Sequence, residues 1–285
     1  MKNKQSILFK KTGKQFSFLL FLVVFSLPLS AQTINQDWWN KLTPEWKTYF
    51  DNKNVKGTIV IRDLESSQQW IYNSERAKTG FLPASTFKIM NSMIALETEI
   101  LSTEDTIYWN GENHRIPTWR ENHVLKTAFS TSCVPCYQEI ARKVGVQRMN
   151  KHIKANDYGQ MDIQEENLDM FWLVGNSKIT PLEQVDFIEK LYKNKLTFSQ
   201  KTIDSIKEIM LNEKGNDFVL YGKTGWAQIE AEQINLGWFV GYLTSSKGNY
   251  AFATNIERPM PEDTEGFAAA RKEITMEIFE KMLKK

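Results

Sequence analysis

The order of β-rich and helical segments along this chain restricts its possible folds more than any other feature. Helical spacing and loops fill residues 102–196, and β-rich runs lie on either side of that region. These runs are Gly57–Asp63, Gln69–Tyr72, Phe218–Lys223, Leu236–Leu243 and Tyr250–Ile256. Since strands need neighbours, we expect an α/β chain of the α+β type. Its antiparallel sheet is built from both chain ends and flanked by helices, with an inserted, mostly helical lobe.

Several segments are expected to form helices around this sheet, including Gln138–Val144 and Ser199–Leu211. An amphipathic pattern with three tryptophans predicts a first helix within Thr33–Phe50, and good helix formers without a breaker predict another over Thr86–Leu96. Thr180 followed by proline is typical of a helix start, and it precedes the helical spacing of Leu182–Tyr192. The last helix is expected over Gly266–Leu283.

The first 31 residues differ from the rest of the chain. They contain five lysines and no acidic residue, then the apolar run Phe16–Leu29, and they end on Ser30-Ala31. A basic segment, a short apolar core and small residues at the end describe a secretory signal peptide. We therefore predict that residues 1–31 are removed and that the protein is secreted or periplasmic. Residues 32–285 are expected to form a single catalytic domain of two lobes, without stable membrane association.

Composition excludes several functions for the exported chain. Loss of the five lysines changes the formal net charge from +2 to −3, so no excess of positive charge remains to attract nucleic acid. The histidines at positions 114, 123 and 152 show no metal-ligand spacing, and no metal is predicted. A monomer and a dimer both fit the sequence.

Ser85 and Lys88 are the candidate catalytic pair. They form the one Ser-x-x-Lys of the sequence, at the start of the predicted helix Thr86–Leu96. Residues i and i+3 share a helix face, so the lysine can hydrogen-bond to the serine. The backbone N–H groups of a helix N-terminus also favour negative charge. This arrangement is typical of a nucleophilic serine with an adjacent base.

A Lys-Thr-Gly motif far from Ser85 extends the pattern. The tripeptide occurs three times, but Lys11–Gly13 lies in the predicted signal peptide and Lys78–Gly80 in a loop. Only Lys223–Gly225 closes a β-rich run. A Ser-x-x-Lys at a helix start, then a serine-containing loop, then Lys-Thr-Gly on a strand is the order of the penicillin-recognising serine enzymes.

Longer motifs resemble one family of these enzymes, the class D β-lactamases or oxacillinases. The matching segments are Pro83–Lys88, Ser132–Val134, Phe171–Leu173 and Tyr221–Trp226, and the resemblance extends from about residue 38 to the C-terminus. It implies a serine β-lactamase that hydrolyses the β-lactam amide of penicillins through an acyl-enzyme. The β-lactam is then the expected partner, and cephalosporins and carbapenems are left open as substrates.

The resemblance also implies roles for individual residues. Ser85 would be the nucleophile, and Lys88 would react with carbon dioxide or bicarbonate to give N6-carboxylysine, the general base; no other cofactor is expected. Ser132 would relay a proton and Lys223 would supply positive potential. The carbamate would be supported by Phe87, Val134, Trp172 and Leu173. The substrate would be bound by Thr224, Gly225, Trp226 and Arg271.

Two features leave alternatives open. The family's Tyr-Gly-Asn is Tyr158-Gly159-Gln160 here, which puts the contacts of the asparagine in doubt. A penicillin-binding sensor or a transpeptidase relative would share the acylation residues but would not turn over. We favour hydrolysis. A sensor is expected to follow several membrane spans and a transpeptidase to carry further domains, whereas this sequence is expected to contain neither.

Cys133-Val134-Pro135-Cys136 is the remaining motif. A thioredoxin-like site needs this spacing at a strand-to-helix junction inside a β-α-β pattern, which the surrounding sequence lacks. A disulfide across the four residues also fits the spacing, but the intervening proline is expected to strain it. We therefore expect free, buried thiols.

Overall fold

The computed structural model describes residues 40–260 and 264–284. The predicted signal peptide, and Trp38 and Trp39 of the predicted first helix, lie outside the described residues. The strands are β1 Asn40–Leu42, β2 Lys56–Asp63, β3 Gln69–Tyr72, β4 Leu211–Lys214, β5 Phe218–Ile229, β6 Ile234–Ser245 and β7 Gly248–Pro259. The α-helices are α1 Lys47–Asp51, α2 Ser74–Ala77, α3 Lys88–Glu97, α4 Leu125–Ser130, α5 Val134–Val144, α6 Val146–Ala155, α7 Pro181–Tyr192, α8 Gln200–Ile209 and α9 Thr264–Leu283. Single 3-10 turns occur at Pro44–Trp46, Ala84–Phe87, Pro117–Trp119 and Glu165–Asn167.

The strands form one seven-stranded sheet in the order β1-β3-β2-β7-β6-β5-β4. β1 is parallel to β3, and the other neighbours are antiparallel. β2 pairs with β7 from Lys56 opposite Glu257 to Asp63 opposite Tyr250. The N-terminal hairpin and the C-terminal strands therefore share one sheet, and the predicted antiparallel sheet from both chain ends is confirmed.

Apolar side chains of the sheet face two separate layers of helices. On β2, Ile59 and Ile61 belong to one core with α1 and α9, whereas Val60 belongs to the other core with α3, α5 and α7. Successive residues of a strand point to opposite faces, so a strand buried on both faces carries an unbroken apolar run. The second core holds the aromatic residues that surround the candidate site. Among the described residues, no helix is both long and apolar enough to cross a membrane.

The predicted first helix is wrong over residues 40–42, which form β1. The backbone of β1 pairs with β3, and Thr43 N–H donates to the Ile71 carbonyl at 3.0 Å. The edge of β3 that faces away from β2 provides backbone partners for residues 40–42, which local helical spacing does not reveal. Helix begins only at Lys47, although Trp46 and Phe50 are buried as the pattern requires.

The helix around Leu182–Tyr192 is confirmed as α7, and its start follows from local chemistry. The Thr180 side chain accepts a hydrogen bond from Glu183 N–H at 3.1 Å, and Glu183 accepts one from Thr180 N–H at 2.7 Å. This reciprocal capping box, with proline at the first helical position, stabilises the N-terminus. The final helix is also confirmed, with α9 beginning two residues before the predicted start.

Candidate active site

Ser85 lies in a 3-10 turn that leads directly into α3. The preceding residue, Ala84, has a left-handed backbone with φ of +49°. Its N–H donates to the Trp172 carbonyl at 2.8 Å. A residue with a Cβ adopts this conformation at a cost in free energy, so surrounding contacts must impose it. The α-helix therefore begins at Lys88 rather than at Thr86, and the turn holds Ser85 at its N-terminal end.

Lys88 occupies the first turn of α3 beneath the nucleophile. Its Nζ donates to Ser85 Oγ at 2.8 Å, and the side chain is fully buried. Burial, and secondly the positive charge of Lys223, hold the pKa of Lys88 well below its ordinary value. Desolvation disfavours the ammonium form. The site consequently favours the neutral form of the amine, which is the form that can accept a proton.

Buried aromatic rings lie at this lysine and around its chain neighbour Phe87. The Tyr137 ring centre lies 5.1 Å from Lys88 Nζ. Phe87 stacks on Trp172 with ring centres 5.6 Å apart and packs edge-on against Phe171 at 4.8 Å. Trp172 is fully buried, and its Nε1–H has no hydrogen-bond partner within the described part of the chain. A buried donor without an acceptor is costly, so this pocket is chemically suited to an added acceptor group.

Ser132 lies in the short connection between α4 and α5. Its backbone is left-handed, with φ of +55°, and its N–H donates to the Phe129 carbonyl at 3.2 Å. Ser132 and Val134 line the same cavity as Ser85. Two left-handed residues, Ala84 and Ser132, thus hold the serines of the site in place. Sequence reasoning identified both serines but had no signal for either strained backbone.

Cys133 and Cys136 form a disulfide, so the expectation of free thiols is wrong. Their Cα atoms are 5.4 Å apart, within the range that a disulfide spans. Cys133 is the N-cap of α5, and proline occupies one of the first two helical positions. Proline is favoured there, so it presets the turn that brings the cysteines together instead of straining it. The expected burial of both cysteines is confirmed.

Strand β5 forms the opposite wall of the site with Lys223, Thr224 and Gly225. A Cβ added to Gly225 would lie 3.2 Å from Thr86 Cγ2 and 3.3 Å from the Pro83 carbonyl oxygen. The absence of a side chain at Gly225 therefore lets β5 approach the Ser85 turn closely. This contact brings residues more than a hundred positions apart in sequence onto one cavity.

Two buried cations lie on this wall. Burial, and secondly Arg271, lower the pKa of Lys223 to about 7. Burial also lowers the pKa of Arg271 to about 10, so its guanidinium stays charged at neutral pH. Lys223 Nζ donates to the Thr224 carbonyl at 3.0 Å, and Arg271 donates to the Gly225 carbonyl at 2.8 Å. Both cations are thus fixed against β5.

A small residue on β6 gives Arg271 its path to β5. A Cβ added to Gly237 would lie 2.9 Å from Arg271 Cδ. The arginine side chain therefore crosses β6 through the space above this glycine. Arg271 was the assignment with the least support in the sequence, since its position on the last helix gives no sign of contact with β5.

A cavity of about 530 Å³ joins these elements, a size within the usual range of small-molecule sites. Seven of the predicted site residues line it, namely Ser85, Ser132, Val134, Leu173, Thr224, Trp226 and Arg271. Phe87, Lys88, Trp172, Lys223 and Gly225 are buried behind it. Sequence reasoning missed the remaining lining residues, Arg115, Ile116, Trp119, Thr131, Val174, Ala227 and Gln228. Trp119 could have been suspected only as an unassigned aromatic residue in the loop around residue 115.

Gln160, the departure from the family's motif, lies away from this cavity. Its backbone exchanges hydrogen bonds with Lys178 at 2.7 and 2.8 Å, and its side chain is exposed. Tyr158 of the same motif is fully buried, with ring centres 5.8 Å from Phe87 and 4.8 Å from Phe187. The turn is therefore maintained by its backbone and by Tyr158.

Comparison with known proteins agrees with this architecture. A family model described as "Penicillin binding protein transpeptidase domain" matches residues 47–284. "Beta-lactamase OXA-48" of Klebsiella pneumoniae is 36% identical over 261 residues, covering 91% of this chain and 94% of that protein. The crystal structure of a class D β-lactamase YbXI from Nostoc superposes with a TM-score of 0.76 and 41% identity, covering 81% of this chain and 95% of that one. "Regulatory protein BlaR1" of Bacillus licheniformis is 31% identical over 214 residues, covering 75% of this chain and 35% of that protein.

The fold, the Ser85–Lys88 pair and the family model define a penicillin-recognising serine protein. Within that class, the identity to OXA-48 over nearly the full length of both chains is decisive. This chain belongs to the class D β-lactamases, and the predicted family is confirmed.

Proposed function

We propose that this protein is an exported serine β-lactamase that hydrolyses penicillins through an acyl-enzyme on Ser85. The observation that carries the proposal is the 2.8 Å hydrogen bond between the Lys88 amine and Ser85 Oγ in a dehydrated pocket. A neutral amine next to a serine hydroxyl can take the hydroxyl proton, which activates the serine oxygen as a nucleophile. The adjoining cavity can hold a small bicyclic substrate, and its far wall carries fixed cations.

Acylation follows from this arrangement. Ser85 Oγ attacks the lactam carbonyl and releases its proton to the Lys88 side chain. The backbone N–H groups of Ser85 and Trp226 stabilise the oxyanion, a contribution of roughly 3 kcal/mol per donor in comparable enzymes. The amide C–N bond then breaks, and Ser132 relays a proton to the departing lactam nitrogen. The product is an ester between Ser85 and the opened substrate.

Substrate binding is assigned to the opposite wall. Penicillins carry a carboxylate, and charge-assisted hydrogen bonds to it are short and strong. Thr224 and Arg271 would bind this group, and Lys223 would add positive potential when protonated. Gly225 and Trp226 would line the β5 side of the bound ring system.

We further propose that Lys88 reacts with carbon dioxide to form N6-carboxylysine. The residues fit such a group, because the amine is desolvated and the buried Trp172 Nε1–H needs an acceptor. When present, the carbamate supplies a carboxylate-type general base for acylation and deacylation. Trp172 would hold it by donating Nε1–H. Phe87, Val134 and Leu173 would keep water away and so keep the amine uncharged.

A penicillin sensor is the second candidate, because a protein described as regulatory, BlaR1, is 31% identical over 75% of this chain. A sensor would acylate Ser85 and stop at the ester. The two candidates therefore differ only in deacylation. The greater identity to OXA-48, over 94% of that protein, favours hydrolysis.

Steady-state hydrolysis of a chromogenic cephalosporin with and without added bicarbonate tests the proposal. Repeated turnovers that increase with bicarbonate support a β-lactamase with a carbamylated Lys88. A single burst, equal in amount to the enzyme and unaffected by bicarbonate, would identify a sensor-like protein instead. Turnover that is independent of bicarbonate would retain the hydrolase and reject the carbamate.

Export remains part of the proposal and is tested separately. The basic, apolar and small-residue pattern of residues 1–31 supports removal of that segment and a secreted or periplasmic location. N-terminal sequencing of the protein recovered outside the cytoplasm should begin at residue 32. Recovery with Met1 intact would reject the cleavage.

A further inference from the structure

The disulfide Cys133–Cys136 directly follows Ser132 and encloses Val134. Of the two bonded cysteines, Cys133 is 0% exposed, whereas Cys136 is 7% exposed. Cys136 also lines a second surface cavity together with Pro135 and Trp119. Cys136 therefore borders this cavity, whereas Cys133 has no exposed surface.

The surroundings of Cys133 suit a leaving thiolate. Cys133 is the N-cap of α5, and its Sγ accepts the Cys136 N–H at 3.2 Å. Thiolates are stabilised at helix N-termini and beside histidine. A ring nitrogen of buried His123 lies within 4.8 Å of both sulfur atoms. His123 also contacts the Thr118 carbonyl and the Thr127 hydroxyl, at 2.9 and 3.1 Å, which fix the ring beside the disulfide.

We propose that Cys133–Cys136 is a site of thiol–disulfide exchange with small thiols. The thiol attacks Cys136 and releases Cys133. The exchange slows turnover by displacing Ser132. The attack order stands on its own geometry. The effect on turnover rests on the proposed function. The site is a modification site and not a thioredoxin-like enzyme, since no β-α-β unit surrounds it in the described chain.

Complete reduction of the disulfide consumes two small thiols, which act as the reductant. A thiolate forms a bond to Cys136 Sγ while the Cys133–Cys136 bond breaks, and the bonding electron pair remains on Cys133 as a thiolate. A second thiolate attacks the mixed disulfide and releases Cys136. Two small thiols are oxidised to one disulfide, and the protein gains two thiols.

Reduction alters the geometry next to the catalytic residues. Bonded sulfurs are about 2 Å apart, whereas non-bonded ones need roughly 3.5 Å, so on reduction a cysteine side chain rotates or the N-terminal turn of α5 opens. Ser132 immediately precedes Cys133 and already has a left-handed backbone that needs support. Displacement of a catalytic group by about 1 Å can reduce a rate by about 100-fold.

Matched single variants test the attack order. Glutathione disulfide is added to native Cys133→Ser and Cys136→Ser proteins, and the mixed disulfide is followed by mass spectrometry. Because Cys136 borders the cavity and Cys133 does not, Cys133→Ser should be modified about tenfold faster than Cys136→Ser. Equal rates, or faster modification of Cys133, would overturn the assignment. Equal melting temperatures of the two variants exclude unfolding as the cause.

The unaltered protein tests the exchange and its consequence. After reduced glutathione is added without denaturant, N-ethylmaleimide should label both cysteines, kcat should fall at least about threefold, and reoxidation should restore it. Labelling of the cysteines by N-ethylmaleimide only after unfolding would contradict thiol–disulfide exchange at this site. Confirmed reduction with unchanged kcat would overturn the displacement of Ser132. If the oxidised protein hydrolyses no β-lactam, the proposed function fails, while the labelling result still decides the exchange.

Discussion

The floor of the site is the Ser85 turn with Lys88 beneath it, and its wall is Lys223–Gly225 of β5. Each buries a lysine, yet the two lysines have different surroundings. On the floor, Lys88 faces the Ser85 hydroxyl and the Tyr137 ring. On the wall, Lys223 donates to the Thr224 carbonyl and lies in the field of Arg271. Burial lowers the pKa of both lysines. The floor thereby favours the neutral form of an amine that can act as a base, whereas the wall retains positive charge through Arg271.

This contrast predicts that floor variants alter the chemical steps and wall variants alter substrate binding. Ser85 is the strongest case. Ser85→Ala should abolish covalent labelling by penicillin and reduce kcat by about 10⁴-fold or more, since no nucleophile remains. Mass spectrometry of the penicillin-treated protein measures the label. Gln160→Asn is the control, because this side chain is exposed and does not line the cavity, and it should still be labelled. Labelling that persists on Ser85→Ala would refute the nucleophile.

Trp172→Phe separates the carbamate from simple packing. Phenylalanine keeps the stacking with Phe87 but removes the Nε1–H donor. If that donor holds the carbamate, deacylation should slow by about 100-fold and acylation by much less, because the unmodified Lys88 amine still reaches Ser85 Oγ and can take its proton. Pre-steady-state kinetics resolve the two steps, and added bicarbonate should restore part of the loss. Equal slowing of both steps, without bicarbonate rescue, would indicate that Trp172 only packs.

The pH dependence of KM tests the wall. Lys223 is protonated below its pKa of about 7 and neutral above it, so its attraction for the substrate carboxylate is present at low pH and lost as the pH rises. Arg271, with a pKa of about 10, stays charged throughout. KM for a penicillin should therefore increase, up to about tenfold, between pH 6 and pH 8. In Lys223→Arg the increase should disappear. An identical profile in that variant would exclude Lys223 as its cause.

Gln160→Asn should have the smallest effect. The Gln160 side chain is exposed, and the turn depends on backbone bonds to Lys178. Restoring the family's asparagine should change kcat/KM by no more than about twofold, as for most surface substitutions. Steady-state kinetics of the two proteins measure this. A larger gain in activity would mean that an asparagine at position 160 reaches the floor of the site.

Much of the sheet could be predicted because its strands carry local patterns. Apolar β-rich runs identified β2, β3, β5, β6 and β7, and the order of segments identified the pairing of both chain ends. The limits of the strands were less accessible. β5 continues from Lys223 to Ile229 through Thr224 and Gly225, because pairing with β6 supplies backbone partners that the local sequence does not display.

The same distinction applies to the cysteines. Their spacing was visible, but the geometry that joins them depends on Cys133 as the N-cap of α5, with proline following. The cavity residues Arg115 and Trp119 were also inaccessible, since they come from a loop without periodicity. Such residues reach the site only through the path of the folded chain.

By itself, the sequence determined most of the strand segments, the family motifs and the identity of the chemical groups, because periodicity and short motifs are local properties. Only the tertiary structure decided how these groups act. The approach of Gly225 to the Ser85 turn, the path of Arg271 across Gly237 and the burial of Lys88 among aromatic rings are contacts between distant segments. Desolvation depends on everything that surrounds a group, so the lowered pKa of Lys88 is a property of the fold as a whole.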